Sequence, residues 1–322
     1  MRRILITDKV KGYAEEFASN LFKDRNTKFK LPRKNLELLS DALKANHQDE
    51  YVKYVEKIIL FYPRILTLLP DEFEPYRVKH FANLNERQLS AVVPGCSNGK
   101  SFYESVVAAM RYDAVQSTEI RPYMKKLGIK ACVYCNAAYA VATDDNKATF
   151  QVDHYYPKSK YPFLCTSFFN LFPSCMHCNQ IKSKNKGYDY CLYTEDPAKV
   201  NPFYFTIDDK SIVKYMLTHN SEVLKFKLNG NLGENADLHS SFFHLAGLYP
   251  QFSDAAEEVI WKAKIYDQTY QTQLMKAYKR KFPYSMDDFK RFYLGFYPDE
   301  KDVNMRPLTL LMQGIAKDMN FE

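Results

Sequence analysis

No apolar run in this chain is long enough to cross a bilayer: the longest, from Ile58 to Leu69, is broken by Pro63 and Arg64. A secretory signal is also missing, because Met1-Arg2-Arg3 is followed by only Ile4-Leu5-Ile6-Thr7 before Asp8 and Lys9 end the apolar stretch. Neither an internal repeat nor a low-complexity tract is present. These absences predict a soluble protein of the cytoplasm with no membrane partner. Cysteine is sparse, at 7 of 322 residues. In a reducing compartment structural disulfides are rare, so paired Cys spacing reads as metal binding or redox chemistry. Tryptophan occurs once, against 25 Tyr and 23 Phe, and Tyr can be half buried with its hydroxyl wet.

What is present describes a folded chain. The 322 residues exclude a small disulfide-stapled module, and 46% hydrophobic with 26% charged residues excludes disorder as the main state. Lysine and arginine exceed the acidic residues by 45 to 38, a net +7 that favours a polyanionic partner without requiring one.

Three regions follow from the patterning. Residues 1–130 read as helical, with apolar residues recurring at three and four (Tyr13, Phe17, Leu21; Tyr54, Ile58, Leu60 and Phe61). Thr7 and Asn35 or Ser40 are candidate caps, and Pro63 is expected to end or kink the longest helix. Pro94-Gly95 and Asn98-Gly99 mark a loop before a helical stretch from Phe102 to Leu127, broken near Pro122. Residues 131–190 change character: a β-prone run from Ala138 to Thr143, a turn at Asp144-Asp145-Asn146 and a second run from Ala148 to Asp153 predict a hairpin, with a helix face at Cys175, Cys178, Asn179 and Lys182. Residues 191–322 suggest a short hairpin over Ser211 to Lys227, then helices at Ala255 to Lys281, Met286 to Tyr293 and Leu308 to Met319.

Chemistry concentrates in the middle region. Cys132-x-x-Cys135 and Cys175-x-x-Cys178 form a four-thiolate set, each pair able to grip one ion from a tight turn, so a structural Zn²⁺ is expected. Cys96, Cys165 and Cys191 lack such spacing and read as small packing residues, and His177 reads as a spacer. Between the pairs stand Asp153-His154, Pro157 and Asn170-Leu171, and Asn179 and Lys182 follow Cys178.

Taken together, these positions resemble the HNH, or ββα-metal, nuclease family, in the form whose ββα core is clasped by a four-Cys zinc site. The likeness covers about 55 residues. It implies an α+β, mainly helical protein with that core embedded between helical regions, and a metal-dependent endonuclease acting on DNA first and RNA second. By residue-for-residue analogy, Asp153 and Asn179 would hold a catalytic Mg²⁺ or Mn²⁺, and Asn170 would orient the imidazole. His154 is the natural general base, since an unperturbed pKa near 6.5 leaves a usable neutral fraction. Asp153 and Asn179 stand where the family name has histidines, and two oxygen ligands favour a hard ion over zinc there.

Lys158, Lys160, Lys182, Lys184 and Lys186 surround this set, with Asp189 the only acidic residue from His154 to Tyr190, and are candidate nucleic-acid contacts. Tyr155, Tyr156 and Tyr161 read as packing residues. The cluster Lys279-Arg280-Lys281 with Lys290-Arg291 reads as a solvated helix face. Glu195-Asp196-Pro197, Asn201-Pro202-Phe203 and Arg306-Pro307-Leu308 in a helical setting resemble the HNH proteins of Septu-type and retron-linked anti-phage systems, which implies an ATPase partner. Two rivals remain: a non-cleaving zinc-stabilised module that binds nucleic acid or protein, and a thiol redox enzyme using the Cys pairs.

Overall fold

The computed structural model describes residues 1–22, 31–97, 99–184, 188–278 and 286–321. A short strand β1 (Ile4–Leu5) leads into three helices, α1 (Asp8–Phe22), α2 (Pro32–Ala45) and α3 (Asp49–Leu66). Thr7 Oγ1 accepts the Val10 N–H at 3.4 Å and caps α1. Pro32 opens α2, so Asn35 and Ser40 lie inside that helix. Leu36, Leu39 and Leu43 of α2 are buried where it packs on α3, whose core face includes Val55, Ile58 and Ile65. Pro63 does not end α3: Tyr62, Ile65 and Leu66 are buried around it, and their packing holds the last turn despite the lost N–H.

Helix α4 (Phe102–Ala109) starts where the turn residues predict, with Glu104 Oε2 accepting the Ser101 N–H at 2.8 Å. The helical stretch breaks at Arg111, which has φ 59°, as well as before α5 (Arg121–Lys126), where Pro122 occupies a first-turn position that needs no N–H.

The ββα unit is present, but only its first strand comes from an expected run, the one from Ala148 to Asp153; its partner strand lies elsewhere. Strand β2 (Gln151–His154) pairs antiparallel with β3 (Leu171–Ser174), Gln151 opposite Ser174 and His154 opposite Leu171, and α6 (Met176–Lys184) follows. The run from Ala138 to Thr143 is not a strand. Its first half turns back on the Cys132 loop, with Cys132 N–H donating to Ala138 O at 2.9 Å and Ala140 N–H to Lys130 O at 2.8 Å. Around the predicted Asp144-Asp145-Asn146 turn a short hairpin tip remains, with Ala142 bridging Ala148, Thr143 N–H donating to Lys147 O at 2.8 Å and Thr149 N–H to Val141 O at 3.0 Å.

Strand β4 (Tyr193–Thr194) pairs parallel with β1, tying the chain start to the region after the core. Strand β5 (Phe203–Ile207) pairs antiparallel with β6 (Phe226–Gly230), flanking α7 (Asp209–Thr218). The expected hairpin over Ser211 to Lys227 is therefore a helix and a strand. Asp208 Oδ2 caps α7 by accepting Ser211 N–H at 2.8 Å, Ser211 and Tyr215 face the core four residues apart, and His219 ends the helix at φ 51°.

Then come α8 (Ala236–Phe242), α9 (Ser253–Ile265), α10 (Gln268–Tyr278), α11 (Met286–Leu294) and α12 (Thr309–Asp318). The long helix expected from Ala255 divides at Asp267, whose Oδ1 accepts Tyr270 N–H at 2.7 Å and caps α10. Lys279, Arg280 and Lys281 lie outside the described residues. The fold is thus mainly helical α+β with three two-stranded sheets among the described residues, and one continuous cluster of buried residues draws on all three sequence regions. No helix of the described residues is long and apolar enough to cross a membrane.

Candidate functional site

The two Cys pairs meet. Cys132 and Cys135 sit on a tight turn closed by Asn136 N–H donating to Cys132 O at 2.9 Å, while Cys175 precedes α6 and Cys178 lies in its first turn. All four sulfurs lie within 4.8 Å of one another, with Cys135 Sγ and Cys175 Sγ 4.0 Å apart. A tetrahedral Zn–S₄ site with bonds of about 2.3 Å needs sulfurs roughly 3.8 Å apart, so the cluster is compatible with a structural zinc. Backbone N–H groups already point at the sulfurs: Cys175 N–H donates to Cys132 Sγ at 3.3 Å and Ala137 N–H to Cys135 Sγ at 3.4 Å. Such donors stabilise thiolates. Cys96, Cys165 and Cys191 stand outside this cluster, and burial pushes the Cys165 thiol up to about 12, which makes it unreactive.

Strand alternation then divides the chemistry of β2 between two faces. Gln151 and Asp153 point toward α6, where Gln151 Oε1 accepts from Asn179 Nδ2 at 2.6 Å and Asp153 Oδ2 accepts from Lys182 Nζ at 2.8 Å. Lys182 also donates to the His154 carbonyl, and its side chain is only 9% exposed. Asp153 Oδ2 takes a second bond, from the Tyr134 hydroxyl at 2.5 Å.

His154 points the other way. Its Nε2 lies 2.9 Å from the Cys165 carbonyl, and its ring packs 4.6 Å from that of Tyr112. A carbonyl only accepts, so Nε2 carries the hydrogen and Nδ1 keeps the lone pair. Burial pushes this imidazole down to about 4, with the Cys165 bond and the Asp153 charge opposing, so it is neutral at cellular pH. Asn170 fixes the backbone just beyond: its Oδ1 accepts Tyr156 N–H at 2.7 Å, and its Nδ2 donates to Tyr156 O at 3.1 Å and Leu164 O at 3.0 Å.

Asp153, His154, Asn179 and Lys182 all line one cleft of about 1030 Å³, together with Lys158 and Lys160. Lys158 Nζ lies 4.6 Å from the centre of the Tyr112 ring, and Lys160 pairs with Glu86 at 2.6 Å. Lys186 and the side chain of Lys184 lie outside the described residues. Tyr155, Tyr156 and Tyr161 pack on one another, with ring centres 4.9 and 4.6 Å apart for successive pairs. A second cavity, of about 430 Å³ between β5 and α12, is lined by Asn201, Phe203 and Lys290 and by none of the candidate catalytic or metal-ligating residues.

Sequence reasoning passed over Tyr134, Tyr112 and His239. Tyr134 had a local signal, being one of the two residues between Cys132 and Cys135, but its reach to Asp153 is tertiary. Tyr112 donates to Val152 O at 2.9 Å and braces β2 behind His154. His239 donates from Nε2 to the Tyr134 carbonyl at 2.7 Å, from 105 residues away.

The chain is similar to the Septu protein PtuB of Bacillus thuringiensis, with 35% identity over 63 residues. The likeness spans 18% of this chain and 23% of that protein's length. No family model matches the chain. No solved structure matches it either.

Proposed function

We propose that this protein is a metal-dependent endonuclease of the HNH type that hydrolyses phosphodiester bonds of DNA, with RNA the second substrate. The observation that carries the reading is the pairing of a carboxylate and a neutral imidazole, Asp153 and His154, at the end of β2 in one cleft beside the four-Cys cluster. Phosphodiester hydrolysis needs a base for the attacking water and charge neutralisation at the phosphate. His154 supplies the base: Nδ1 accepts the proton while the Cys165 carbonyl fixes the ring through Nε2. Asn170 holds the backbone after His154 so that the imidazole keeps its place. Asp153 and Asn179 offer a carboxylate and an amide oxygen on facing elements, a hard donor pair suited to Mg²⁺ or Mn²⁺. Such an ion would supply the charge that stabilises the phosphate and the leaving oxygen. Lys158 and Lys160 add positive charge along the cleft.

The likeness to a Septu protein supports a role in anti-phage defence beside an ATPase partner. A second reading, a non-cleaving binding module, draws on one feature: the Asp153 carboxylate is already neutralised by Lys182. One experiment separates them. Supercoiled and linear DNA are incubated with wild type and His154→Ala at equal zinc content, in Mg²⁺, Mn²⁺ or EDTA. The expected result is metal-dependent cutting that falls about 10²-fold or more in the variant. Metal-dependent cutting that survives the substitution removes His154 as base. If neither protein cuts, assays of DNA binding and of cutting with the ATPase present distinguish a binding module from a nuclease that needs its partner.

A further inference from the structure

We infer that Tyr134 is a positioning residue through which the four-Cys loop aims the Asp153 carboxylate, so that the zinc clasp tunes the proposed catalytic metal site. The inference rests on the reading of Asp153 as a metal ligand. Tyr134 lies between two of the clustered cysteines and is fully buried, so its phenol direction is set by the loop that those cysteines anchor. The hydroxyl donates to Asp153 Oδ2 at 2.5 Å, across 19 residues of sequence. The other end of the residue is held independently. His239 Nε2 donates to the Tyr134 carbonyl at 2.7 Å, Tyr249 OH donates to the next carbonyl, that of Cys135, at 2.6 Å, and the Phe243 ring stacks on Tyr134 with centres 4.7 Å apart.

A phenol clamped at the backbone and at the ring face has no freedom to follow a wandering carboxylate. It therefore dictates where the carboxylate stands. Oδ2 carries both the phenol and the Lys182 ammonium, whereas Oδ1 takes no hydrogen bond among the described residues and is the oxygen left to meet a cation. Without the phenol, Asp153 is free to turn fully onto Lys182, a competing cation already 2.8 Å away. Loss of the hydroxyl should then weaken a divalent ion at Asp153 rather than strengthen it. Partners that orient a metal-ligating carboxylate typically account for about 10- to 100-fold in metal affinity.

The test uses the full chain loaded with zinc and measures Mn²⁺ affinity from the free-ion electron paramagnetic resonance signal, in wild type, Tyr134→Phe and Asp153→Asn. The expected result is about 10-fold or greater weakening in Tyr134→Phe at one zinc per chain, and loss of the site in Asp153→Asn. Mn²⁺ binding lost in Asp153→Asn but within twofold of wild type in Tyr134→Phe overturns the positioning role alone. Wild type that binds no Mn²⁺, or binding that Asp153→Asn leaves intact, overturns the metal-site reading and the inference with it. Should Tyr134→Phe lose its zinc, His239→Gln carries the measurement, because it loosens the same loop at the carbonyl and leaves the phenol in place. Several-fold weaker Mn²⁺ binding with zinc retained supports the coupling, and unchanged binding overturns it.

Discussion

His239 is fully buried, donates from Nε2 to Tyr134 and accepts the Tyr188 hydroxyl at Nδ1, so it belongs to the fold in its neutral form. Burial pushes it down to about 3 from an ordinary value near 6.5. Between those values the unfolded chain binds a proton that the folded chain refuses, so stability is complete above about pH 6.5 and is lost as pH falls toward 3. From pH 7 to pH 5 this group alone removes about 2 kcal/mol. Urea titrations of wild type and His239→Gln at both pH values, at matched zinc content, should show the variant losing that much less. Identical losses in the two proteins would rule out His239 as a source of the acid sensitivity. At the same scale, Asp153, His154, Asn170 and Asn179 were readable as candidates through the resemblance of their order to the HNH family pattern. Tyr134 and Tyr112 were not, because their importance lies in what their hydroxyls reach, Asp153 and the Val152 carbonyl.

The ββα unit shows at the element scale how a local pattern loses to a neighbouring demand. Residues 138–140 have the composition of a strand, but their backbone closes the Cys132 turn instead, and β2 takes its partner from residues 171–174. Because the Cys132 turn and α6 come from distant stretches and meet at the sulfurs, the metal is expected to be the tie between them. Chelation of zinc, or Cys175→Ser, should destabilise the chain by about 4 kcal/mol or more, read by denaturant titration alongside metal content. A zinc-free chain as stable as the loaded one would show that the aromatic packing suffices alone. The region 211–227 makes the complementary point: its fair alternation suggested a hairpin, but Asp208 as a cap and core contacts at Ser211 and Tyr215, four residues apart, select a helix.

Across the whole molecule, the end of the chain is locked to the middle. Leu308 N–H donates to Asn136 O at 2.7 Å, Leu310 N–H to Asn136 Oδ1 at 3.1 Å, and Asn136 Nδ2 to Val303 O at 2.9 Å, directly after the second cysteine of the first pair. Helix α12 then lies on β5 through Gly314, where an added Cβ would stand 2.3 Å from the Phe205 carbonyl oxygen. Alanine gains about 1 kcal/mol in helix propensity over glycine, but a clash with backbone cannot be relieved by a rotamer change. Gly314→Ala is therefore expected to destabilise the protein, by about 1–3 kcal/mol in a urea titration, and a more stable variant would refute the close approach.

Residue type and spacing alone determined the two Cys pairs, the mainly helical class and the cap at Thr7, because each depends on neighbours within a few positions, whereas the Asp153-His154 pair stood out only through the family resemblance. Tertiary structure decided which strands form the ββα unit, where Lys182 puts its charge and what holds Tyr134. Those outcomes depend on groups up to 114 residues apart in the sequence, and only burial in a shared core brings them together.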